Sequence, residues 1–461
     1  MNKTKHFFIA SLFVLNAILA KAQTTFEKTY NWGLSAMDAE SVQQTADGGY
    51  IMAGFIYPLG SDSQMSLVKT NSNGDTIWTK AIGGSFGFFM GTSVQQTNDL
   101  GYIVTGMGKG GDGVYLVKTT AAGDTVWTRD FEKTSTGNEG KAVKQTTDGG
   151  YVVTGITNDT IYAAKLGSTG NMTWSKKYGK GKGFSIQETT DGGFIIGGEK
   201  GTFNTQAYMI KTNVNGDTLW TKAYGTTSQG AREVVQTSDG GYVLTGYSSG
   251  DIYLIKTNSF GNLIWQKTFG GTLTDVGESV KETNDGGYII SGYEKIFDAM
   301  LGTDKREMHI IKRSSNGNPV WDRNYGTLGA EGMNVQQTSD KGFAVTGPGP
   351  EGSLSNTTFF LLKTDSLGFV TTTGVSNNFA NTYDVAVYPN PNSGTCSIQV
   401  SNFNTHMSYL TITNLIGQSV YYTQINSDKT EINLIGKPKG LYFYRLEGSD
   451  EIIKTGKIII D

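Results

Sequence analysis

The stretch that decides the fold runs from Glu40 to Gly84. It reads ESVQQTADGGYIMAGF over 40–55 and, after a short connection, SLVKTNSNGDTIWTKAIGG over 66–84. The pattern returns until about residue 364, and its turn recurs at intervals of 52, 49, 43, 48, 46 and 55 residues. A repeat of this length indicates a solenoid, a propeller or an array. The seven turns are Asp47-Gly48-Gly49, Asp99-Leu100-Gly101, Asp148-Gly149-Gly150, Asp191-Gly192-Gly193, Asp239-Gly240-Gly241, Asp285-Gly286-Gly287 and Asp340-Lys341-Gly342.

Each copy contains four short runs that alternate apolar and polar residues. In the first copy they are Ser41–Thr45, Tyr50–Phe55, Ser66–Thr70 and Thr76–Ile82. Runs of this length, rich in Val, Ile, Tyr, Thr and Trp and bounded by Gly, Asn and Asp, are typical of strands joined by tight hairpins. No segment has a helical period long enough for a helix. Four antiparallel strands in each of seven units predict an all-β, seven-bladed β-propeller.

A tryptophan in the fourth run shows how the ring closes. It recurs in the first six copies, but after the seventh copy the pattern fades at Leu367 to Val370. The missing run lies at the start of the chain instead, where residues 25–30 align with 77–82. The sequence therefore predicts an N-terminal strand that completes the last blade, a clasp that removes the free sheet edges. The six tryptophans are Trp78, Trp127, Trp174, Trp220, Trp265 and Trp321.

Composition and the ends of the repeat divide the chain. Residues 1–22 have the charge, the apolar stretch and the Ala20-Lys21-Ala22 site expected of a signal peptide. We predict the propeller over 23–372, a polar linker over 373–384 and a small immunoglobulin-like β-sandwich of about seven strands over 385–461. The single cysteine, Cys396, excludes an internal disulfide.

Charge narrows the class of partner. The net charge is −3 over the whole sequence and becomes about −6 once the signal peptide is removed. A mildly acidic chain without a long basic run is a poor nucleic-acid binder. Beyond the signal, no stretch approaches the ~20 apolar residues of a transmembrane helix.

Four ordered motifs lie in the last 77 or so residues: VYPNPNSG at 387–394, LTITNLIGQ at 410–418, KGLYFY at 439–444 and KTGKII at 454–459. With these motifs the tail resembles the C-terminal sorting domain (type A) of the type IX secretion system of Bacteroidetes. The resemblance implies a partner in the secretion machinery, export to the outer-membrane surface or the medium, and removal of the tail on arrival. The residues that match the motifs are Pro389, Asn390, Pro391, Gly394, Gly417, Gly440, Tyr442 and Lys457.

Residues that recur in every blade are interpreted as architectural. The turn aspartates cap backbone N–H groups, and the tryptophans form a core between blades. Seven lysines also recur, either pairing with local acids or carbonyls or, alternatively, lining the central channel as an anion funnel. They are Lys69, Lys118, Lys165, Lys211, Lys256, Lys312 and Lys363.

Catalysis, metals and cofactors find little support. After the signal peptide the only histidines are His309 and His406, too few for a histidine-dependent triad or a multi-histidine metal site. We predict no catalytic residue, no metal and no cofactor. Calcium at the Asn/Asp-Gly turns is the one alternative, because Asn71-x-Asn73-Gly74-Asp75 loosely resembles a calcium loop, although it lacks the downstream bidentate acid.

Loop lengths indicate which face carries function. The links between runs one and two and between runs three and four are short and constant, whereas those on the opposite face, called here the variable face, differ in length. Variable loops on a rigid scaffold carry binding residues. We expect ligand contact there from two sets, with the aromatics alternatively folding inward as a plug. The aromatic set is Trp32, Phe86, Phe88 and Phe89, and the charged set, in a predicted long loop over 294–307, is Asp298, Asp304, Lys305 and Arg306.

Two classes of function remain at this stage. In the first, the propeller is a non-catalytic binding or adhesion module for a glycan or a protein. In the second, it is a polysaccharide hydrolase or lyase that uses carboxylates on the variable face. The scarcity of histidine favours the first.

Overall fold

The computed structural model describes an all-β chain. None of the described ranges forms a helix long and apolar enough to cross a membrane. The description covers residues 23–461 except 32–35, 59–61, 84–86, 111–112, 133–136, 227, 299–302, 327–328, 350–357, 371–384, 401–407, 416–417, 426 and 448–451.

The strands group by pairing into four-stranded antiparallel units, the blades. The clasp strand is β1 (Phe26–Tyr30). Blade 1 is β2 (Ala36–Gln44), β3 (Tyr50–Tyr57), β4 (Gln64–Thr70) and β5 (Thr76–Ile82). Blade 2 is β6 (Met90–Gln96), β7 (Tyr102–Met107), β8 (Val114–Thr119) and β9 (Thr125–Phe131). Blade 3 is β10 (Glu139–Gln145), β11 (Tyr151–Thr157), β12 (Thr160–Leu166) and the first half of β13 (Met172–Glu188). Blade 4 is the second half of β13 with β14 (Phe194–Lys200), β15 (Gln206–Thr212) and β16 (Thr218–Tyr224).

The remaining blades follow the same meander. Blade 5 is β17 (Gln229–Gln236), β18 (Tyr242–Ser248), β19 (Asp251–Thr257) and β20 (Leu263–Phe269). Blade 6 is β21 (Val276–Glu282), β22 (Tyr288–Asp298), β23 (Thr303–Arg313) and β24 (Pro319–Tyr325). Blade 7 is β25 (Asn334–Gln337), β26 (Phe343–Pro348), β27 (Phe359–Thr364) and β1.

The predicted clasp is confirmed. Strand β1 pairs antiparallel with β27, from Phe26 opposite Lys363 to Tyr30 opposite Phe359. It also bonds to blade 1, because the Tyr30 hydroxyl donates to the carbonyl of Gly74 at 2.7 Å. The two ends of the propeller chain therefore share one sheet, and the last blade is joined to the first.

The inner strand of each blade contains a β-bulge, a feature that the sequence analysis did not predict. In blade 2 the register shifts between Gly91 and Ser93, which leaves Thr92 as the extra residue. The bulge brings the carbonyl oxygen of Met90 so close to the second strand that a Cβ at Gly106 would lie 1.7 Å from it. Each blade has a glycine opposite its bulge, and the matching approaches are 1.7–2.0 Å. Only glycine allows this contact.

Aromatic rings join neighbouring blades, as predicted. Each fourth-strand ring packs on the aromatic ring that begins the second strand of the next blade, with centroids 5.6–6.0 Å apart. In blade 7 the ring is Phe26 of the clasp, which meets Tyr50 at 6.0 Å. Apolar residues of adjacent sheets fill the space between blades, so the core is distributed around the ring.

The seven repeated lysines do not line the channel. Each is buried, and its Nζ lies 2.8–3.0 Å from the turn aspartate of its own blade. Each also donates to the carbonyl of the next residue, for example Lys69 to Thr70 at 2.7 Å. The interpretation as pairing with local acids is confirmed for these residues, and the alternative of a funnel built from them is wrong. Lysine hydrogen bonds, followed by that of Thr146, hold the pKa of Asp148 down at about 2.

The tail forms two antiparallel sheets with one core. The first holds β28 (Val385–Tyr388), β29 (Thr395–Val400) and β32 (Lys429–Asn433), and the second holds β30 (Ser408–Thr413), β31 (Ser419–Ile425), β33 (Gly440–Glu447) and β34 (Ile452–Ile460). Ile398, Leu410 and Ile458 are among the buried residues that they share. The predicted small sandwich is therefore present.

Two sorting motifs that are distant in sequence meet in this sandwich. The Asn390 side chain donates to the carbonyl of Lys457 at 2.7 Å and accepts the N–H of Ile459 at 2.8 Å. Gly394, at φ 103°, donates its N–H to Asn392 Oδ1 at 2.8 Å. The Tyr442 hydroxyl donates to Pro438. Gly417 lies outside the described residues.

We predict that Phe26→Ala destabilises the propeller by about 2 kcal/mol, since a fully buried Phe→Ala change costs about 3–5 kcal/mol and this ring is half-buried. Denaturant unfolding of the purified chain measures the change. Ile77→Ala removes an apolar side chain that is 56% exposed, in a blade that needs no clasp, and serves as the control. Equal effects of the two substitutions would contradict an energetic role for the clasp.

Candidate functional site

The inner strands surround an open central cavity of about 750 Å³. Each inner strand runs from a variable link to a constant Asp-Gly turn, so its first half lies near the variable face. Two positions of each strand line the cavity: the bulge residue and the residue three places later. Together they form two rings of side chains, roughly 10 Å apart at about 3.3 Å per residue.

The bulge residues form the upper ring, near the variable face. A bulge residue is outside the regular ladder, and its side chain is re-aimed. In blade 7, Met333 takes this place, between Glu331, whose N–H reaches Pro348, and Asn334, which pairs with Thr346. The upper ring is Glu40, Thr92, Lys141, Phe184, Arg232, Glu278 and Met333.

Arg232 organises one side of this ring. Its guanidinium carbon lies 4.4 Å from the ring centroid of Phe184 and 5.3 Å from that of Tyr247. Its Nη1 donates to Glu199 Oε1 at 3.1 Å, and its Nε lies 3.5 Å from Glu278 Oε2. The Tyr247 hydroxyl also donates to Glu199. These contacts fix the Arg232 guanidinium against two carboxylates and two aromatic ring faces.

A second cation lies further round the rim. Arg306 stacks on Tyr293, with its guanidinium carbon 4.6 Å from the ring centroid, and donates to Glu331 Oε1 at 2.6 Å. Lys141 of the upper ring pairs with Glu139 at 2.5 Å. Each of these cations has an acidic partner, yet the acids of the mouth outnumber the bases.

Glu40 stands apart from these pairs. Burial raises its pKa to about 7; the charge of Lys141 opposes this, while Asp38, Glu278 and Glu139 add to it. No hydrogen bond or ion pair joins its carboxylate to any residue that the structure describes. Burial also raises the pKa of Glu278, against the opposing charge of Arg232. The mouth therefore holds two carboxyl groups whose pKa values are raised by burial, that of Glu40 to about 7.

The residues three places further along form the lower ring. Lys281 pairs with Glu233, and Lys144 lies across the cavity from them. Burial lowers the pKa of Lys144, and the charge of Lys281 lowers it further. The lower ring is Gln43, Gln95, Lys144, Gln187, Val235, Lys281 and Gln336.

The two members of the predicted aromatic set that the structure describes, Phe88 and Phe89, do not form one surface. Phe88 is 47% exposed on the variable face and stays available for contact. Phe89 is only 7% exposed and packs edge-on against Tyr115 at 5.5 Å. The expectation that Phe89 contacts a ligand is therefore wrong, and the alternative that it folds inward holds for this residue. Trp32 and Phe86 lie outside the described residues.

The predicted long loop over 294–307 is instead a hairpin. Strands β22 and β23 stay paired out to Asp298 opposite Thr303. Asp304 lies 3.9 Å from Lys295, and Lys305 is half-buried. Arg306 bonds to Glu331 and lies close enough to Glu278 for its charge to lower the pKa of that carboxyl, so of the charged set it is the residue next to the upper ring. The side chain of Asp298 lies outside the description.

The remaining candidates are His309 and the turn from Asn71 to Asp75. Burial lowers the pKa of His309 to about 4, so it is neutral at physiological pH. Asn71 Oδ1 accepts the N–H groups of Asn73 and Asp75, both at 2.9 Å, and Asp75 pairs with Lys28. The oxygen atoms of this turn thus bond to N–H and ammonium donors.

Sequence reasoning missed the upper ring, although a signal for it exists. Aligned on the threonine that precedes each Asp-Gly turn, the copies agree at most inner-strand positions. At the seven bulge positions six different residue types occur. That variability marks a position that the fold does not fix.

The tail is a known sorting domain. Residues 386–461 match the family described as secretion system C-terminal sorting domain. The protein is therefore exported to the cell surface or the extracellular space, and its tail engages the type IX secretion machinery. The search of curated proteins gave no match.

Solved structures similar to the chain share little sequence. One is the extracellular domain of a putative hybrid two-component system from B. thetaiotaomicron, 10% identical, with a TM-score of 0.48 over 94% of this chain and 57% of that one. Another is PorZ, an essential surface component of the type IX secretion system of Porphyromonas gingivalis, 11% identical, with a TM-score of 0.47 over 90% of this chain and 58% of that one. The chain thus spans less than two thirds of either protein.

We predict that Glu40→Gln stabilises the protein at pH 8 but not at pH 5. A carboxyl whose pKa is raised from 4.5 to about 7 contributes stability below pH 4.5 that is lost as pH rises through 7, and the amide avoids that loss. The expected gain at pH 8 is about 1 kcal/mol or more, measured by denaturant unfolding at both pH values. Glu188→Gln is the control, because five of the other six blades have a glutamine at this position that bonds to the neighbouring turn. A gain of equal size at both pH values would contradict the assignment.

Proposed function

We propose that this exported propeller is a non-catalytic binding or adhesion module whose ligand, a glycan or a protein segment, enters the channel from the variable face. The observation that carries the proposal is the upper ring. Seven equivalent positions, all facing one cavity, hold six different residue types, with only glutamate occurring twice, while neighbouring positions repeat. Because the fold does not require this variety, it points to recognition.

The chemistry of the mouth favours a polyhydroxylated ligand. Arg232 and Arg306 are each fixed by a ring and a carboxylate, so their remaining donors are held in set directions. Glu40 adds an acceptor that no described residue occupies. Paired donors and acceptors beside partly exposed rings suit sugar hydroxyls and apolar sugar faces. These features support a glycan over a protein segment.

One observation favours a second function, a polysaccharide hydrolase or lyase. A carboxyl with a pKa near 7 has the value expected of a general acid or base, and Glu278 stands near Glu40 as a second carboxyl. Glu278 is, however, near Arg232, and the other mouth acids are paired. Release of reducing ends or unsaturated sugars from a polysaccharide panel, abolished by Glu40→Gln, would establish the enzyme instead.

We predict that Arg232→Met lowers affinity for the ligand at least tenfold, about 1.4 kcal/mol. The whole exported chain is screened on a glycan array, and the best ligand is then titrated against the variants. Lys222→Met removes a cation from an outer strand and is the matched control. The binding site would lie at the rim and not at the mouth if Arg232→Met kept its affinity while the double variant Trp32→Ala with Phe88→Ala lost it.

For the export route, we predict that a chain truncated after residue 385 stays inside the outer membrane, whereas the full chain reaches the surface. The sorting domain provides the physical basis, since it is the part that engages the machinery. Protease accessibility on intact cells measures the difference. We also propose that residues 1–22 are removed as a signal peptide and that the tail is cleaved on arrival. Mass spectrometry of surface material that finds a C-terminus at Asp461 would contradict the second cleavage.

A further inference from the structure

The lower ring differs from the upper ring in one respect: its polar groups are almost all donors. Four of its seven members are glutamines, two are lysines, and one is Val235. No carboxylate belongs to the ring itself. The nearest one, Glu233, comes from the position two places earlier in its strand.

The direction of each glutamine amide is fixed by a backbone bond. Gln43 Oε1 accepts the N–H of Gln96 at 2.5 Å, and Gln95 Oε1 accepts the N–H of Gln145 at 2.6 Å. Gln187 and Gln336 bond in the same way to the next blade, at 3.0 and 2.7 Å. Because a backbone N–H requires the oxygen, the NH₂ group of each amide must be the other end.

These NH₂ groups remain open to the channel. In the part of the chain that the structure describes, none of the four donates to a protein acceptor, and none is sealed from solvent. All four residues line the cavity. A ring of amide donors is therefore held in place by the same bonds that join the blades.

The two lysines add positive charge to this ring. Lys281 donates to Glu233, whose oxygens also accept Ser279 Oγ at 2.6 Å and the N–H of Val280 at 2.9 Å. Both carboxylate oxygens of Glu233 therefore already accept hydrogen bonds. Lys144 makes no ion pair or hydrogen bond with any described residue, although it lies close enough to Lys281 to be repelled by it. Two cations and one anion leave an excess of one positive charge.

We infer that the lower ring is a binding site for a small oxyanion of the phosphate or sulfate class, held by the ammonium groups of Lys144 and Lys281 and by the glutamine NH₂ donors. An oxyanion accepts hydrogen bonds from all sides and carries the negative charge with which the Lys144 ammonium can pair. A metal cation would meet only donors, and an apolar group would leave them without partners. The inference does not rest on the proposed function, because it uses a different position of the inner strand.

The test titrates the full chain with sodium phosphate by calorimetry, at an ionic strength held constant with chloride. Wild-type protein is expected to bind with saturation, and Lys144→Met to bind at least tenfold more weakly. Gln95→Glu keeps the oxygen that accepts the Gln145 N–H but replaces the amide donor with a carboxylate, so it should also abolish binding. Blades 4 and 6 show that a carboxylate serves as such an acceptor, since Glu188 accepts the N–H of Thr147 at 2.7 Å and Glu282 that of Ser238 at 2.7 Å.

Matched controls remove the effect of net charge. Lys222→Met and Gln266→Glu make the same changes on outer strands and should bind phosphate as wild type does. Glucose 6-phosphate distinguishes the two sources of the anion: tighter binding than phosphate identifies the phosphoryl end of a larger ligand, and binding of phosphate alone identifies the free ion. Arg232→Met should keep phosphate binding, so failure at the mouth is distinguishable from failure here. The inference would be overturned if wild-type protein bound neither phosphate nor sulfate. It would also be overturned if Lys144→Met and Gln95→Glu both bound phosphate as tightly as wild type.

Discussion

The open edge of the inner strand is the constraint on which the rest of the structure depends. Each inner strand has a ladder partner on one side only, so its other N–H groups would face the channel unpaired. Side chains from neighbouring blades supply missing acceptors, as Gln43 Oε1 does for the N–H of Gln96 at 2.5 Å and Gln95 Oε1 for that of Gln145 at 2.6 Å. The turns are bonded between blades in a similar way: in all seven blades the Gln or Glu before the turn threonine accepts a turn N–H of the preceding blade, at 2.7–2.9 Å. One of these bonds joins Ser339 to Gln44 and so crosses the point of closure. The repeated glutamines are therefore what holds separate sheets together as one ring.

The bulge separates the positions that build the ring from the positions that are free to vary. A regular inner strand would direct alternate side chains into the blade interface, where packing and backbone bonding fix their identity. The fold does not require the side chain of the extra residue to pack in the blade interface or to bond to the backbone there, so its identity is not fixed. The cost falls on the facing residue of the second strand, which must be glycine, as Gly106 is opposite the carbonyl of Met90. One backbone irregularity repeated around the ring thus produces a lining whose composition can change without loss of the fold.

The parts of the structure that sequence predicts are those that repeat. The strands, the clasp, the ring stacking and the Lys–Asp pairs depend on residues that recur at the same place in each repeat. Each copy of the repeat therefore supports the prediction made from the others. The bulge is not predicted although the glycine opposite it repeats in every blade, because an extra residue shifts the alternation without changing composition. The sequence predicts a loop around Arg306 where the structure has a hairpin, since the strands there are charged and alternate weakly. Phe88 and Phe89 are neighbours of the same type, and only the packing against Tyr115 separates the exposed ring from the buried one.

The order of charge along the channel limits how a ligand can enter. At the variable face the acids outnumber the bases, and burial raises the pKa of Glu40 to about 7 and raises that of Glu278, so an anionic group meets less repulsion there than a count of acids suggests. About 10 Å further in, the lining changes to donors and two ammonium groups. A ligand with hydroxyl groups at one end and an oxyanion at the other would therefore fit in one direction only, oxyanion first. If the upper and lower rings bind as inferred, one channel recognises both ends of a single molecule. The closed propeller then fixes the distance between the two binding sites.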